Sequence, residues 1–303
     1  MKFATFVVST TLTLAASVAS AQPPGITPEM INRSLPLDGA PLAIAGPYAA
    51  VTNETAFGSP NHFVFRPSDL KAFPKSDTLP VLVWGNGGCA QDSKSFANLL
   101  NNVASHGFLV VTTAAVAGEA RRQATVADLT AAIDWAIKEN TRETSPLRDK
   151  IDTAHIAVMG VSCGGFLATG TGADPRIGTV GVFNSGVSAP AANGAATPFP
   201  TTDALAKLHT PMLYLNGGEP DFMMAQSRAN YDAIAKLPAF YGSRHNAGHS
   251  ATYPHPGGGE FANVVSNWLK FQFKGDKVAG KMFTGKDCTL CKDKNWDVAS
   301  KNL

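Results

Sequence analysis

Hydrophobic positions along the chain fall into two alternating kinds of run. Short, nearly continuous apolar stretches at 81–84, 109–112, 156–159, 180–183, 212–215 and 239–241 read as buried strands, because a strand covered on both faces has no polar side to show. Two further strand patterns, at 48–51 and 62–65, precede them. Between the strands the spacing changes to that of helices: Phe96, Leu99, Leu100 and Val103 recur at i, i+3, i+4 and i+7, and so do Phe261, Val264, Val265 and Trp268. Strand and helix therefore alternate, which predicts an α/β fold with a mostly parallel central sheet flanked by helices on both faces. Gly and Pro are scattered as loop punctuation and no repeat is visible, so the pattern predicts one domain over 22–275, without a large lid, and a polar tail over 276–303.

The start of the chain has a different character. Met1 and Lys2 are followed by an apolar run from Phe3 to Val18 and then Ala19, Ser20 and Ala21, the three regions of a secretory signal with cleavage after Ala21. Ser and Thr interrupt that run, and it falls short of the ~20 residues a membrane span needs, so a secreted or periplasmic protein without a span is expected. The formal net charge of the whole chain is +2, too small a field to recruit nucleic acid or an anionic membrane. A neutral small-molecule or polymeric substrate fits better. Neither zinc-ligand spacing nor a phosphate loop ending in Lys is present, so no metal and no cofactor is expected.

Candidate chemistry centres on 158–165. An apolar strand runs there into Gly160-Val161-Ser162-Cys163-Gly164, a Gly-x-Ser-x-Gly turn that opens a helix and lifts the Ser162 hydroxyl above the sheet. A serine becomes a nucleophile only when a base takes its proton and a carboxylate orients that base. In such folds acid and base follow the serine in chain order. The loop after 212–215 offers Asp221, with Glu219 as the alternative. The small-residue loop before the last helix offers His249, with His245 behind it. Donors for the negative oxygen of a tetrahedral intermediate are expected from the backbone N–H of Cys163 and from that of Cys89, in the glycine-rich loop after 81–84.

Four cysteines in an exported chain are expected to pair. If the N–H groups of Cys89 and Cys163 bind one oxyanion, their nitrogens lie within ~6 Å and the Cα atoms can enter the ~4.4–6.8 Å window of a disulfide. Cys288 and Cys291 would then pair with each other. A redox role for this C-x-x-C would need it at a helix start after a strand, whereas it follows the last helix.

These residues resemble the α/β-hydrolases, and within them bacterial polyester hydrolases and cutinase-like or dienelactone-hydrolase-like serine esterases. The likeness runs from about Pro80 to Gly275, through 105–112, the approach to Ser162 at 150–162, and the helix around Trp268. It implies ester hydrolysis with Ser162, Asp221 and His249 as the triad and Cys89 and Cys163 as the oxyanion hole. In polyester hydrolases the positions matching Cys89 and Cys163 are typically aromatic and Met, and a Trp follows the next strand. Phe183-Asn184-Ser185-Gly186 holds no Trp, so the resemblance implies an esterase rather than PET hydrolysis specifically. A peptidase on the same triad and a non-catalytic binding protein on the same fold are the competing readings.

Overall fold

The computed structural model describes residues 26–39, 42, 44–48, 51–71 and 77–303, and the expected signal segment and cleavage site lie outside them. A short helix α1 (Pro28–Asn32) comes first, followed by a hairpin of β1 (Val51–Ala56) and β2 (Ser59–Pro67). The first strand was expected at 48–51 and instead begins at Val51. As an edge strand it exposes the alternate polar residues Asn53 and Thr55, with Glu54 between them, which hides it from an apolar pattern. Its pairing is marked by Gly58 in the turn at φ 64° and by Glu54, which accepts from Arg66 Nε at 2.7 Å across the ladder.

The parallel body follows: β3 (Leu79–Gly85), β4 (Leu109–Thr113), β5 (Ile151–Val161), β6 (Ile177–Phe183), β7 (Met212–Asn216) and β8 (Ala239–Arg244). A further strand, β9 (Trp296–Lys301), pairs antiparallel with β8 and closes that edge. Among the described residues the sheet order is β1-β2-β4-β3-β5-β6-β7-β8-β9. Strand β9 lies in the segment that reads as a polar tail. That segment buries Phe283, Cys288, Leu290 and Trp296, single apolar residues spaced too widely to show periodicity.

Alternate side chains of each strand feed two cores. Val81, Val83 and Val158 face α3 (Val126–Thr141) and α4 (Cys163–Thr171), while Leu82, Trp84 and Met159 face α2 (Ala97–Ser105) and α5 (Gly259–Phe273). Burying a large apolar side chain contributes roughly 1.5–3 kcal/mol, and Trp268 also donates from its indole N–H to Thr179 Oγ1 at 2.9 Å. Helix α3 starts at a reciprocal cap between Thr125 and Asp128, a device worth about 0.5–2 kcal/mol. Among the described residues no helix is long and apolar enough to cross a membrane.

Two buried histidines make stability depend on pH. His62 sits between the Ser59 hydroxyl and the Asp128 carbonyl, and His106 against the Ile44 carbonyl. Burial lowers both imidazoles below the ordinary value of 6.5, and Lys270 and Lys274 press His106 the same way. Below that value the unfolded chain takes up protons that the folded chain refuses, so stability falls as pH falls. Asp128, held down to about 2 mainly by Arg122, extends the loss into stronger acid as its carboxylate protonates. Melting temperature should therefore drop between about pH 7 and 5, and the double variant His62→Gln/His106→Gln should flatten that slope. An unchanged slope would show that neither imidazole is responsible.

Candidate active site

Because β5, β7 and β8 run parallel, the loops at their C-terminal ends meet at one edge of the sheet, where open α/β folds bind ligands. Ser162 follows β5, Asp221 the loop after β7, and His249 the loop after β8.

The Ser162 turn depends on its glycines. A Cβ on Gly164 would run into the Gly85 carbonyl, and one on Gly160 into the Gly164 carbonyl, so strand and helix approach closer than any side chain permits. Ser162 itself has φ 52° and ψ −122°, a backbone strained by about 1–3 kcal/mol. The strain is held by backbone bonds: Ser162 N–H donates to the Phe183 carbonyl at 2.9 Å, and the Ser162 carbonyl accepts from Gly165 N–H at 2.9 Å and from Ser185 Oγ at 2.7 Å. The residue stands at the N-terminus of α4, whose first N–H groups have no intrahelical acceptor and carry the positive end of the helix dipole.

Asp221 is fully enclosed and accepts four hydrogen bonds. Oδ1 takes one from His249 Nδ1 at 2.8 Å and one from Met223 N–H at 3.1 Å, and Oδ2 takes one from Asn184 Nδ2 at 2.8 Å and one from Gly217 N–H at 3.2 Å. A carboxylate only accepts, so Nδ1 of the neutral imidazole carries the proton and Nε2 keeps its lone pair. Phe222 stacks on the His249 ring at a centroid distance of 4.1 Å and fixes its plane. The alternatives lie elsewhere. Glu219 is exposed and pairs with Arg33 at 3.1 Å, and His245 is half-exposed beside Asp297 at 3.0 Å.

Asn184 and Tyr253 were missed in the sequence. The Tyr253 hydroxyl donates to Asn184 Oδ1 at 2.6 Å, and Asn184 Nδ2 reaches both Asp221 and the Gly248 carbonyl. The chain Tyr253–Asn184–Asp221–His249 is thus continuous and buried, and burial pushes the Tyr253 phenol well above its ordinary value. Only a strand-end position marked Asn184 beforehand.

Ser162 and His249 line one cavity of about 420 Å³, together with Gly87, Gly88, Phe96 and Tyr253. Cys89 does not reach it. Its side chain is fully buried, and its N–H, expected to face an oxyanion, donates to the Asn86 carbonyl at 3.2 Å. Gly87 and Gly88 begin that same turn, and Gly88 adopts φ 64°. The sulfurs of Cys89 and Cys163 lie at disulfide distance with Cα atoms 5.1 Å apart, and those of Cys288 and Cys291 with Cα atoms 4.9 Å apart. The first pair ties the glycine-rich turn to the start of α4.

No curated protein matches the chain. A family model does, from residue 42 to residue 295, a span that takes in the parallel sheet, the Ser162 turn and the buried Asp221–His249 pair, and by that match the chain belongs to the PET hydrolase-like family of α/β-hydrolases.

Proposed function

We infer that the protein is an exported serine esterase that cleaves carboxylic esters, small or polymeric, through an acyl-enzyme on Ser162. The observation that carries this reading is the enclosed Asp221–His249 pair, which leaves Nε2 as the acceptor on a cavity shared with Ser162.

In the proposed cycle Ser162 Oγ attacks the ester carbonyl carbon while its proton passes to His249 Nε2. The imidazolium is stabilised by Asp221, whose negative charge stays in place. The carbonyl oxygen becomes an oxyanion facing the N–H of Cys163 at the positive end of α4 and the N–H groups of the Gly87–Gly88 turn. These replace Cys89 as the second donor site, because the Cys89 N–H is already engaged. Collapse breaks the bond to the alcohol oxygen, which takes the proton from His249 and leaves. Water then repeats the sequence on the acyl-enzyme, and the acid is released. The Cys89–Cys163 bridge would hold the two donor segments at fixed separation, where a preorganised pair lowers the barrier by about 2.7–4 kcal/mol per donor.

The cavity wall is apolar at Ile31, Val161, Phe96, Tyr253 and Pro254, which suits an ester without charge beside the scissile bond. Asn184 is buried and donates to Asp221.

A fluorophosphonate probe should label the protein once, on Ser162, and labelling should abolish hydrolysis of p-nitrophenyl acetate. Peptide mapping locates the adduct. An unlabelled protein that hydrolyses no p-nitrophenyl ester and no polyester film would sink the reading.

A further inference from the structure

A segment outside the family match also reaches the cavity. Thr27 caps α1, and the chain after it runs along the loops that carry Glu219 and His249. Ser250 Oγ donates to the Ile31 carbonyl at 3.0 Å, Leu35 N–H to the Asn246 carbonyl at 2.9 Å, and Arg244 to the Asp38 carbonyl at 2.9 Å. Arg33 adds the ion pair to Glu219. Gly248, at φ 66°, is required here, since a Cβ would collide with the Arg33 carbonyl. Backbone thus lies on backbone immediately beside His249. The consequence is that Ile31, half-buried, and Asn32, exposed, form part of the cavity wall with His249 and Ser250.

We propose that Ile31 and Asn32 are specificity-determining residues that select the alcohol portion of the ester. This rests on the serine-esterase reading. His249 must return its proton to the departing alkoxide, so the alcohol portion lies against His249 when the bond breaks. Ile31 is held next to His249 through Ser250, and the oxyanion turn of Gly87 and Gly88 supplies a different part of the wall. The Ile31 side chain therefore limits the bulk of an apolar alcohol group, with Asn32 at the rim offering an amide to any polar group beyond it.

The test uses two ester series. One keeps the acetyl group and enlarges the alcohol from ethyl to cyclohexyl to 2-naphthyl, and the other keeps p-nitrophenol and lengthens the acyl chain from acetyl to octanoyl. Ile31→Ala should raise kcat/KM for the bulky alcohols about tenfold relative to ethyl acetate and leave the acyl preference unchanged. Ile31→Trp should act in the opposite direction. If the tryptophan variant misfolds, Ile31→Val provides an intermediate step in the first direction. Parallel shifts in both series, or no shift in either, would overturn the assignment while hydrolysis that depends on Ser162 persists. A wild-type protein that hydrolyses no ester of either series would overturn it together with the esterase reading.

Discussion

Ser162→Ala is expected to lower turnover by ~10⁴- to 10⁶-fold with the protein still folded. The hydrogen bonds described at the elbow use the Ser162 backbone: its N–H to Phe183, and its carbonyl from Gly165 and Ser185. Alanine keeps all three. It also meets the same steric cost at φ 52° as serine does, since both carry a Cβ. What disappears is the hydroxyl proposed as the nucleophile. Melting temperature within a few degrees of wild type, together with loss of p-nitrophenyl acetate hydrolysis, is the expected pair of results. Activity within tenfold of wild type would remove Ser162 as nucleophile, and an unfolded variant would contradict the backbone account of the turn.

Asp221→Asn should cost about 10⁴ in kcat, whereas Glu219→Gln should leave kcat nearly unchanged. Both oxygens of Asp221 are surrounded by donors only: His249 and Met223 on one side, Asn184 and Gly217 on the other. An asparagine amide must turn its NH₂ toward one of these pairs. Facing His249, it drives the ring into the tautomer that puts the proton on Nε2 and removes the acceptor from the cavity. Facing Asn184, it leaves buried donors unmatched, which costs about 1–3 kcal/mol of stability. Glu219 has neither constraint. It is solvent-exposed and shares only an ion pair with Arg33, a contact worth ~0–1 kcal/mol. Steady-state kinetics of the two variants beside their melting curves separate the roles, and equal losses in both would reject Asp221 as the orienting acid.

Asn184 belongs to the same argument. Its amide spans Asp221, the Gly248 carbonyl and Tyr253, so it holds Asp221 and the loop of His249 at once. The left-handed backbone at Asn184, φ 44°, is one that asparagine tolerates better than most residues, and it turns the chain at the end of β6 so that the amide meets β7 and β8 loops.

The elements that the amino-acid sequence determines by itself are those whose cause is local. Near-continuous apolar runs mark the six parallel strands, because burial on both faces leaves no room for alternation. The elbow is legible because Gly160, Ser162 and Gly164 each answer a need of the same five-residue turn. The α/β order then brings the strand ends to one edge by handedness alone, which narrows acid and base to two loops.

Only the tertiary structure decides between residues that are neighbours in sequence. Asp221 and Glu219 are two positions apart with the same chemistry, and only Asp221 meets His249 and Asn184, contributed by other loops. Cys89 and Gly87 differ because Gly87 lines the cavity while the 3₁₀ turn uses the N–H of Cys89, a hydrogen bond that composition does not record. Strand β9 forms because β8 has an open edge for it and because Trp296 finds Phe261 at 5.6 Å. Ile31 joins the cavity for a similar reason: the close approach of Arg33 to Gly248 is a contact between distant parts of the chain, and such contacts exist only once the sheet has set the two segments side by side.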